Sequence, residues 1–464
     1  MSKPLRPKFD ADLIARYGGE GPRYTSYPTA VQFTEDFSAR DWLNAIDESN
    51  SLPIPADLSL YVHVPFCSSP CFYCGCNRVI TRSATAGPDF LAHLERELDL
   101  VAPLFDDDRR VRQVHLGGGT PTFLTIPQIG RLMTLLRSRF SFSDSGEFAL
   151  EVDPRTVQPD EMRALRRLGF NRISIGIQDL DPAVQKAVNR VHDTPRVAGI
   201  IGAARGVGFN SISVDLIYGL PLQTTEAFAR TVDSVIAMRP DRISLFNYAH
   251  LPHLFKAQNQ IDASDLPAPA VKLAIFRNTL SRLLESGYEF IGLDHFALPE
   301  DPLAQARGDG TRVRNFQGYS THGDLDLVGF GPSAISQVGD AFAQNHRKLV
   351  DWKIAVQEGR LPISRGLHRT TEDCLRAEVI ASIMCRGEVV YREFERNYEL
   401  RFRSYFAEAL ARLQPMARDG LIRWSDDGFT VTSTGILFLR AIAREFDAYL
   451  APAGEQRQRF SRIV

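Results

Sequence analysis

The sequence predicts an α/β fold in which six strand–helix units form a partial, open (β/α)6-type barrel. Two observations predict it. Short apolar, β-branched segments alternate with amphipathic helical segments through the middle of the chain. Polar or glycine-rich residues follow nearly every predicted strand at its carboxyl end, where a barrel carries its site. The same alternation also fits an open doubly wound sheet, which is the alternative.

The composition is that of an ordinary globular protein, with 44% hydrophobic and 24% charged residues among 464. It excludes a disordered, collagen-like or coiled-coil chain. The 54 basic and 56 acidic residues give a net charge of −2, with no whole-chain signal for nucleic acid or an anionic membrane. Without a long apolar run or a secretory signal, we expect a cytoplasmic protein with no membrane partner. We also expect a monomer.

Six strands are predicted, short and rich in β-branched residues as parallel strands tend to be. They cover residues 58–64, 111–116, 147–152, 172–177, 211–217 and 242–247. Apolar residues at spacings of three and four predict helices over 89–105 and 126–140. Cap-and-proline pairs at 181–182 (Asp-Pro) and 194–195 (Thr-Pro) predict two more helix starts.

The chain outside the strand–helix units divides by composition. The predicted segments are an N-terminal arm (1–57), the partial barrel (58–300), a glycine-rich connecting and lid segment (301–364) and a mostly helical, winged-helix-like C-terminal domain (365–464). Winged-helix domains often bind DNA. The sequence shows no basic stripe, so we expect no nucleic-acid partner.

Four of the six cysteines form a C-x3-C-x2-C-x-C loop directly after the first strand. They are Cys67, Cys71, Cys74 and Cys76. Three thiolates on one short loop can each bind one iron of a [4Fe–4S] cluster. A zinc site, the alternative, usually pairs two knuckles, and this loop contains only one. The distant Cys374 and Cys385 are expected to be small buried hydrophobes.

Other chemically active residues stand at or near the carboxyl ends of the later strands. They are the run Gly117–Pro121, Glu151 with Asp153, Gln178, Asp215 and Tyr248. The glycines allow a ligand to approach the backbone closely. Carboxylates can accept hydrogen bonds from hydroxyl or amino groups, and an arginine such as Arg190 can pair with a carboxylate. Each also has a structural alternative, as a salt bridge, helix cap or barrel-rim contact.

The loop and the glycine run resemble those of radical S-adenosylmethionine (SAM) enzymes. Over nearly its whole length the chain also resembles the oxygen-independent coproporphyrinogen III oxidases of that superfamily. The matching stretches include GPRYTSYPTA, LYVHVPFC, YCGCN, GGGTPT, EVDPR, VNR, DLIYGLP, RNFQGY and the terminal FSRIV. The resemblance implies a radical SAM fold and conversion of two propionates of coproporphyrinogen III into vinyl groups, giving protoporphyrinogen IX. It also implies an electron donor and an electron acceptor.

The resemblance implies roles for particular residues. The iron ligands would be Cys67, Cys71 and Cys74. A first SAM would contact Tyr61, Gly118, Glu151 and Ile335. A second SAM would contact Tyr73, Gly119, Thr120, Gln178, Arg190, Asp215 and Ala249. The catalytic candidates are Tyr61, Glu151 and Cys76.

The substrate of this family carries four carboxylates, so its site needs cations. Arg23, with Tyr24 and Tyr27, is the first candidate, and Arg312 and Arg314 come next. The alternative is that the arm only packs against the fold. Other functions stay open from the sequence: a relative acting on another tetrapyrrole, a haem-handling protein, or a radical SAM enzyme with another substrate, such as a methyltransferase.

Overall fold

The computed structural model describes residues 6–450, without the side chains of 307–309. The α-helices are α1 (Ala11–Tyr17), α2 (Ala39–Asn50), α3 (Ala86–Val101), α4 (Ile126–Arg137), α5 (Glu161–Arg167), α6 (Pro182–Ala187), α7 (Thr194–Gly206), α8 (Thr225–Met238), α9 (Pro269–Glu285), α10 (Pro302–Asp309), α11 (Leu349–Gln357), α12 (Thr371–Ala381), α13 (Tyr391–Tyr398), α14 (Phe402–Tyr405), α15 (Ala407–Arg418) and α16 (Leu439–Ala443). The FSRIV stretch (460–464) lies outside the described residues.

The strands are β1 (Leu58–Val64), β2 (Phe66–Cys67), β3 (Val79–Ile80), β4 (Val111–Gly118), β5 (Phe142–Val152), β6 (Arg172–Gln178), β7 (Ser211–Tyr218), β8 (Arg242–Asn247), β9 (Glu289–Gly292), β10 (His295–Ala297), β11 (Val313–Asn315), β12 (Gly318–Ser320), β13 (Asp326–Phe330), β14 (Ile335–Val338), β15 (Ala341–Asn345), β16 (Ile363–His368), β17 (Glu388–Val390), β18 (Ile422–Ser425) and β19 (Gly428–Val431). The six predicted parallel strands correspond to β1 and β4–β8.

The chain forms two compact units, and the larger one contains residues 33–276 and 324–368. Six of its parallel strands run in the order β1-β4-β5-β6-β7-β8. A doubly wound sheet would reverse the strand order at a switch point, and this order does not reverse. The predicted (β/α)6 succession is therefore confirmed, with all carboxyl ends at one edge.

The other side of β1 differs from the expectation. Residues 324–364 belong to the predicted connecting and lid segment and 365–368 to the predicted C-terminal domain, yet together they form β13, parallel to β1, followed by the antiparallel strands β14–β16. Every residue of β13 is buried. The four strands are four to six residues long and lie among glycines. The glycine-rich composition therefore predicted a loop and hid the apolar pattern of these strands.

The smaller unit contains residues 6–32, 277–323 and 369–450 of the described chain. Helices α12–α15 are followed by β18 and β19, which form a three-stranded antiparallel sheet with β17. This is the predicted helix-then-hairpin order of a winged-helix-like region. The predicted N-terminal arm is divided: residues up to 32 belong to this unit, whereas α2 belongs to the larger one.

The predictions of where helices end were less accurate than the predictions that the helices exist. Helices α3 and α4 end at Val101 and Arg137, a few residues before the predicted ends. Asp181 caps α6 as predicted. The cap of α7 is Asp193, whose carboxylate accepts from the backbone N–H of Arg196, and Thr194 is already the first helical residue. An aspartate is the stronger cap, because its carboxylate also favours the positive end of the helix dipole.

Candidate functional site

The cysteine loop is closed at its base by backbone hydrogen bonds. Val79 N–H donates to the carbonyl of Pro65 at 2.7 Å, and Thr81 N–H donates to that of Cys67 at 2.9 Å. These bonds place β3 beside β2. Within the loop, Phe72 N–H donates to the carbonyl of Val188 at 3.0 Å. The loop is thus held both at its base and near its middle, at the carboxyl end of β1.

The four thiols have different surroundings. Cys67 and Cys71 are buried, Cys74 is half-buried and Cys76 is exposed. Within residues 6–450, no three His, Cys, Asp or Glu side chains converge on a point that one metal ion could occupy. A tetrahedral zinc site needs such convergence, whereas a [4Fe–4S] cluster takes each thiolate on a different iron. Three thiols on one loop can each serve one iron of such a cluster.

Two guanidinium groups point at the buried thiol of Cys71. Arg155 Nη2 and Arg190 Nη1 each lie 3.4 Å from its Sγ. Between them Asp153 accepts from both, at 2.7 Å from Arg155 and 3.1 Å from Arg190. Burial opposes the charge of Arg190, but Tyr73 and Asp153 raise its pKa above the usual value.

A third guanidinium encloses the other side of the loop. Arg78 donates to the backbone carbonyls of Cys74 at 3.1 Å and Cys71 at 3.3 Å. A [4Fe–4S] cluster with three thiolate ligands is anionic, so cations and N–H groups around the sulfurs stabilise it and tune its potential. The donor set and its positive surroundings fit the cluster that the superfamily implies, with Cys67, Cys71 and Cys74 as the thiols available to it.

The last two cysteines interact with each other. The backbone N–H of Cys76 donates to Cys74 Sγ at 3.4 Å. The hydrogen bond from the Cys76 side chain lowers the pKa of Cys74 to about 6, and the same bond raises that of Cys76. The pair thus favours a thiolate at Cys74 and a thiol at Cys76.

Tyr61, on β1, belongs to a chain of aromatic and polar contacts that reaches β5. Its ring stacks on His115 of β4, with centroids 5.9 Å apart. His115 Nε2 lies 3.1 Å from Glu151 Oε1, and Tyr61 OH lies 3.1 Å from His63 Nδ1. The other ring nitrogen of His63 reaches the carbonyl of Asn77 at 2.9 Å, so Nε2 donates and Nδ1 accepts from Tyr61. Tyr61 and Glu151 are therefore positioned together.

The glycine run lies where side chains would not fit. A Cβ at Gly117 would lie 2.9 Å from Glu151 Oε1 and 3.0 Å from the Tyr61 ring. Gly118 has φ +119°, which L side chains rarely adopt, and a Cβ at Gly119 would lie 2.9 Å from the carbonyl of Phe66. Thr120 Oγ1 lies 3.2 Å from Cys67 Sγ. The run therefore connects the cysteine loop to the Tyr61–Glu151 pair.

Gln178, Arg190 and Asp215 meet around β6 and β7. Arg190 Nε donates to the carbonyl of Gly176 at 3.1 Å, and a Cβ at Gly176 would lie within 3 Å of both the Arg190 and Gln178 side chains. Asp215 pairs with Gly176 across the sheet. Gln178 has φ +70°, and its buried Oε1 has no hydrogen-bond partner among the described residues. A buried oxygen that accepts no hydrogen bond from the protein can accept one from a bound ligand.

The carboxyl of Asp215 has a raised pKa, which favours hydrogen bonding by the neutral acid over a permanent negative charge. Burial raises its pKa to about 6, and the neighbouring carboxylate of Glu151 adds to the shift. Ser174 Oγ donates to its Oδ2 at 3.4 Å. The effect of Glu151 also shows that the two carboxylates share one region of the strand ends.

Tyr73 and Ala249 are brought together by one glutamine. Gln258 Nε2 donates to the carbonyl of Tyr73 at 3.1 Å and to that of Ala249 at 3.3 Å. The Tyr73 ring packs against an apolar cluster that includes Val188 and Tyr248. Burial raises the pKa of Tyr73 well above its usual value, so its hydroxyl is neutral.

Ile335 comes from a strand that the sequence did not predict. It opens β14, and a Cβ at Gly329 would lie 2.7 Å from its carbonyl oxygen. Gly329 pairs with Tyr61 across β1 and β13. Ile335 is thereby adjacent to the Tyr61 side of the site, although it is 274 residues further along the chain.

The substrate candidates lie in the smaller unit. Tyr24 OH donates to Asp447 Oδ2 at 3.0 Å, and Tyr27 OH accepts from the N–H of Ala448 at 2.9 Å. Both tyrosines are buried. Their hydroxyls thus make contacts within the unit, as the packing alternative for the arm expects. Arg23 pairs with Asp294.

Several residues that surround the site were not singled out from the sequence. They are His63, Arg78, His115, Arg155 and Asn189. Arg155 and Asn189 stood in the quoted stretches EVDPR and VNR, but no local pattern shows that they reach the cysteine loop. Asn189 has φ +54° and donates to the carbonyl of Pro70 at 2.7 Å. The sequence signal was an asparagine directly before Arg190, because asparagine adopts positive φ more readily than most residues.

Comparison with known proteins agrees with this geometry. Residues 61–235 match the Radical SAM superfamily, and residues 370–438 match the HemN C-terminal domain. Among residues 6–450, no helix is both long and apolar enough to span a bilayer.

Full-length relatives give a narrower assignment. Oxygen-independent coproporphyrinogen III oxidase of Pseudomonas aeruginosa is 49% identical over 98% of this chain and 99% of its own length. The Escherichia coli K12 protein of the same name is 47% identical over 98% of each. The solved structure of coproporphyrinogen III oxidase (HemN) from Escherichia coli, described as a radical SAM enzyme, covers 96% of this chain and all of its own, with a TM-score of 0.91. The chain belongs to the oxygen-independent coproporphyrinogen III oxidase family.

Proposed function

We propose that this chain converts coproporphyrinogen III into protoporphyrinogen IX without oxygen. Two propionate side chains become vinyl groups. Each loses a hydrogen atom from its β-carbon, its carboxylate as CO2, and one electron to an acceptor. The β-hydrogen is not acidic, so no side-chain base of ordinary pKa can remove it, and removal as a hydrogen atom avoids that obstacle.

The cysteine loop supports this function most directly. Its three thiols lie on one anchored loop, and two guanidiniums lie 3.4 Å from the buried Cys71 Sγ. When bound, the [4Fe–4S] cluster and SAM supply a 5′-deoxyadenosyl radical. The chain would bind the cluster through Cys67, Cys71 and Cys74, stabilise its negative charge through Arg155 and Arg190, and shield it from water.

We propose two SAM sites, one on each side of the glycine run. Tyr61, Gly118, Glu151 and Ile335 would bind the first. Tyr73, Gly119, Thr120, Gln178, Asp215 and Ala249 would bind the second, with Arg190 as an additional contact. The unpartnered oxygen of Gln178 supports the second site, since it can accept from a ligand amine or hydroxyl. Arg190 lies 3.4 Å from Cys71 Sγ and is held there by Asp153 and Gly176, so its first proposed role is to stabilise the charge of the cluster.

The proposed catalytic residues have separate tasks. Glu151 and Tyr61 would orient SAM, because His115 and His63 hold them at fixed hydrogen-bond distances. Cys76 stays off the cluster and near the bound ligands, since a fourth thiolate would fill the iron position that SAM needs. We expect a monomeric, cytoplasmic enzyme that receives electrons from one partner and passes the electron from the substrate to another.

The test is an anaerobic reaction of the reconstituted protein with SAM, a reductant, an electron acceptor and coproporphyrinogen III. We expect protoporphyrinogen IX, methionine and 5′-deoxyadenosine, measured by liquid chromatography. Exposure to air should bleach the visible absorption of the cluster and abolish turnover. Cleavage of SAM with coproporphyrinogen III left intact would show that the substrate is wrong. Full activity after aerobic handling would contradict a catalytic cluster.

A further inference from the structure

The outer side of the cysteine loop exposes apolar side chains directly beside a cluster thiol. Val79 and Ile80, the two residues of β3, are 37% and 44% exposed. β3 pairs in parallel with β2, and Ile80 is the ladder partner of Cys67. Paired strands lie about 4.8 Å apart. Ile80 therefore lies at the surface, one strand spacing from a residue that is proposed to bind the cluster.

A second surface segment of the larger unit lies beside the cysteine loop. Asn77 Nδ2 donates to the backbone carbonyl of Arg347 at 2.8 Å, which joins the loop to the segment that precedes α11. Arg347 and Lys348 are exposed. Val350, in the first turn of α11, is 57% exposed. The two segments together form a surface, the outer loop face, which consists of Val79, Ile80, Arg82, Arg347, Lys348 and Val350.

The outer loop face is positively charged. Arg82 is exposed like Arg347 and Lys348. None of these three side chains forms an ion pair with a carboxylate in the described part of the chain. Residues 77–88 and 345–350, which supply most of the face, contain no Asp or Glu. The basic side chains are thus available to a partner at the surface.

Acidic residues at the border of the face do not cancel this charge. Asp89 forms an ion pair with Lys353 of α11. Asp351 is half-buried, which leaves three exposed cations against one carboxylate. The whole chain has a net charge of −2 and would not attract an acidic protein by itself. The attraction has to come from a local group of cations such as this one.

The position of the face suggests what it binds. If the chain has the proposed function, its cluster must receive one electron for each SAM that is cleaved. Electron transfer slows steeply with distance, so a donor has to approach the surface that is nearest to the cluster. Electron-transfer complexes are among the smallest protein interfaces. An apolar centre with charges around it is typical of such contacts, and the charges steer the encounter and fix the orientation.

We propose that the outer loop face is the docking site of the electron donor, an acidic protein that carries a low-potential one-electron centre. Carboxylates of the donor lie against Arg82, Arg347 and Lys348, and its apolar surface lies against Ile80 and Val350. One electron leaves the reduced centre of the donor and enters the cluster. The donor is oxidised by one electron and the cluster is reduced by one, and no bond forms or breaks in this step. The need for a donor rests on the proposed function.

The first experiment measures binding, and it uses the reconstituted protein with two oxidised carriers so that no electron passes. The acidic carrier is a plant-type [2Fe–2S] ferredoxin, and the basic control is cytochrome c. Affinities are measured by biolayer interferometry at about 0.02 M and 0.2 M salt. We expect ferredoxin to bind at low salt and to lose at least about tenfold in affinity at high salt, with no binding of cytochrome c. Ferredoxin that binds no better than cytochrome c, or independently of salt, would overturn the proposal.

The second experiment locates the contact by reversing charges. The double variant Arg347→Glu with Lys348→Glu changes only exposed side chains, since the bond from Asn77 uses a backbone carbonyl. It should bind ferredoxin at least about tenfold more weakly. The matched control is Arg110→Glu with Arg167→Glu, two exposed arginines before β4 and at the end of α5, toward the amino ends of the strands. Equal losses in the two double variants, or no loss in the first, would overturn the docking site.

A third measurement compares two reductants. The rate of 5′-deoxyadenosine formation is measured with limiting reduced ferredoxin and, separately, with dithionite, which needs no docking site. The variant of Arg347 and Lys348 should be at least about tenfold slower with ferredoxin and unchanged with dithionite. An equal loss with both reductants would place the effect in the cluster and contradict docking.

Turnover of coproporphyrinogen III by the unmodified protein with dithionite is measured apart from these tests. Normal turnover with unchanged ferredoxin binding in the variant would refute the docking site alone. Absent turnover would refute the proposed function, whatever the binding results.

Discussion

Arg190 Nη1 donates to Asp153 Oδ2 at 3.1 Å from a buried position. The same nitrogen lies 3.4 Å from Cys71 Sγ, so one guanidinium links a carboxylate to a thiol of the cysteine loop. Asp153 holds Arg190 in place, and Arg190 brings positive charge to the sulfur. This contact connects Arg190, which follows α6, to the cysteine loop that begins after β1.

Arg190→Gln should weaken the cluster. Glutamine removes the charge beside Cys71 and leaves the buried Asp153 with Arg155 as its remaining partner, at a cost of about 1–3 kcal/mol in the free energy of unfolding. We expect less iron and sulfide per chain after reconstitution and at least about a tenfold loss of turnover. Arg167→Gln, at an exposed position on α5, is the control and should behave as the unmodified protein. Normal cluster content in the Arg190 variant would contradict the role.

Replacing each cysteine of the loop tests the ligand set. Alanine at Cys67, Cys71 or Cys74 should abolish the [4Fe–4S] absorption, since each thiolate binds its own iron. Alanine at Cys76 should keep the cluster and SAM binding, because we expect this exposed thiol to stay off the cluster and leave one iron open for SAM. Its turnover falls only if the thiol takes part in the chemistry. Loss of the cluster in the Cys76 variant, with retention in one of the other three, would reassign the ligands.

Gly119→Ala should damage the site beyond its effect on stability. The new Cβ would lie 2.9 Å from the carbonyl of Phe66, which is backbone, so the glycine run must shift against the cysteine loop. We expect a loss of about 1–3 kcal/mol in the free energy of unfolding and weaker SAM binding, measured by denaturant titration and equilibrium dialysis. Gly202→Ala in α7 is the control. No atom lies within 4 Å of its Cβ, and alanine favours the helix by about 0.5–1 kcal/mol. Unchanged SAM affinity in folded Gly119→Ala would contradict the expected shift.

The contribution of Glu97 to the free energy of unfolding should fall as the pH rises from about 4.5 to about 7. Burial raises the pKa of Glu97 from 4.5 to about 7, so in that window the folded chain binds a proton that the unfolded chain has lost. The stabilisation is complete below the lower value and disappears through the upper one, with a total of about 3 kcal/mol. Glu97→Gln should remove this part of the pH dependence of the free energy of unfolding, whatever the overall stability of the variant. Denaturant unfolding at several pH values measures it, and identical slopes in the two proteins would contradict the assignment.

The prediction of the barrel succeeded where short-range patterns suffice. β1 and β4–β8 were recognised because buried parallel strands are short, apolar and β-branched, and their carboxyl ends share an edge. That rule also placed Glu151 and Asp215 in one region, and in the structure Ser174 pairs with Glu151 across the sheet and donates to Asp215 at 3.4 Å. β13–β16 were missed, because short strands among glycines look like loop in any local window.

The sequence by itself determined the class of chemistry: three cysteines at C-x3-C-x2-C spacing after a strand, a glycine run after the next, and carboxylates at later strand ends. Each of these depends on residues close together in the chain. Only the tertiary structure decided which arginine side chains lie beside which thiol or carboxylate. Arg155 and Arg190 meet Cys71, and Arg23, Arg314 and Arg440 meet Asp294, from segments up to 417 residues apart. Such contacts depend on how distant segments pack, and a solvated surface arginine has the same local sequence as a buried functional one.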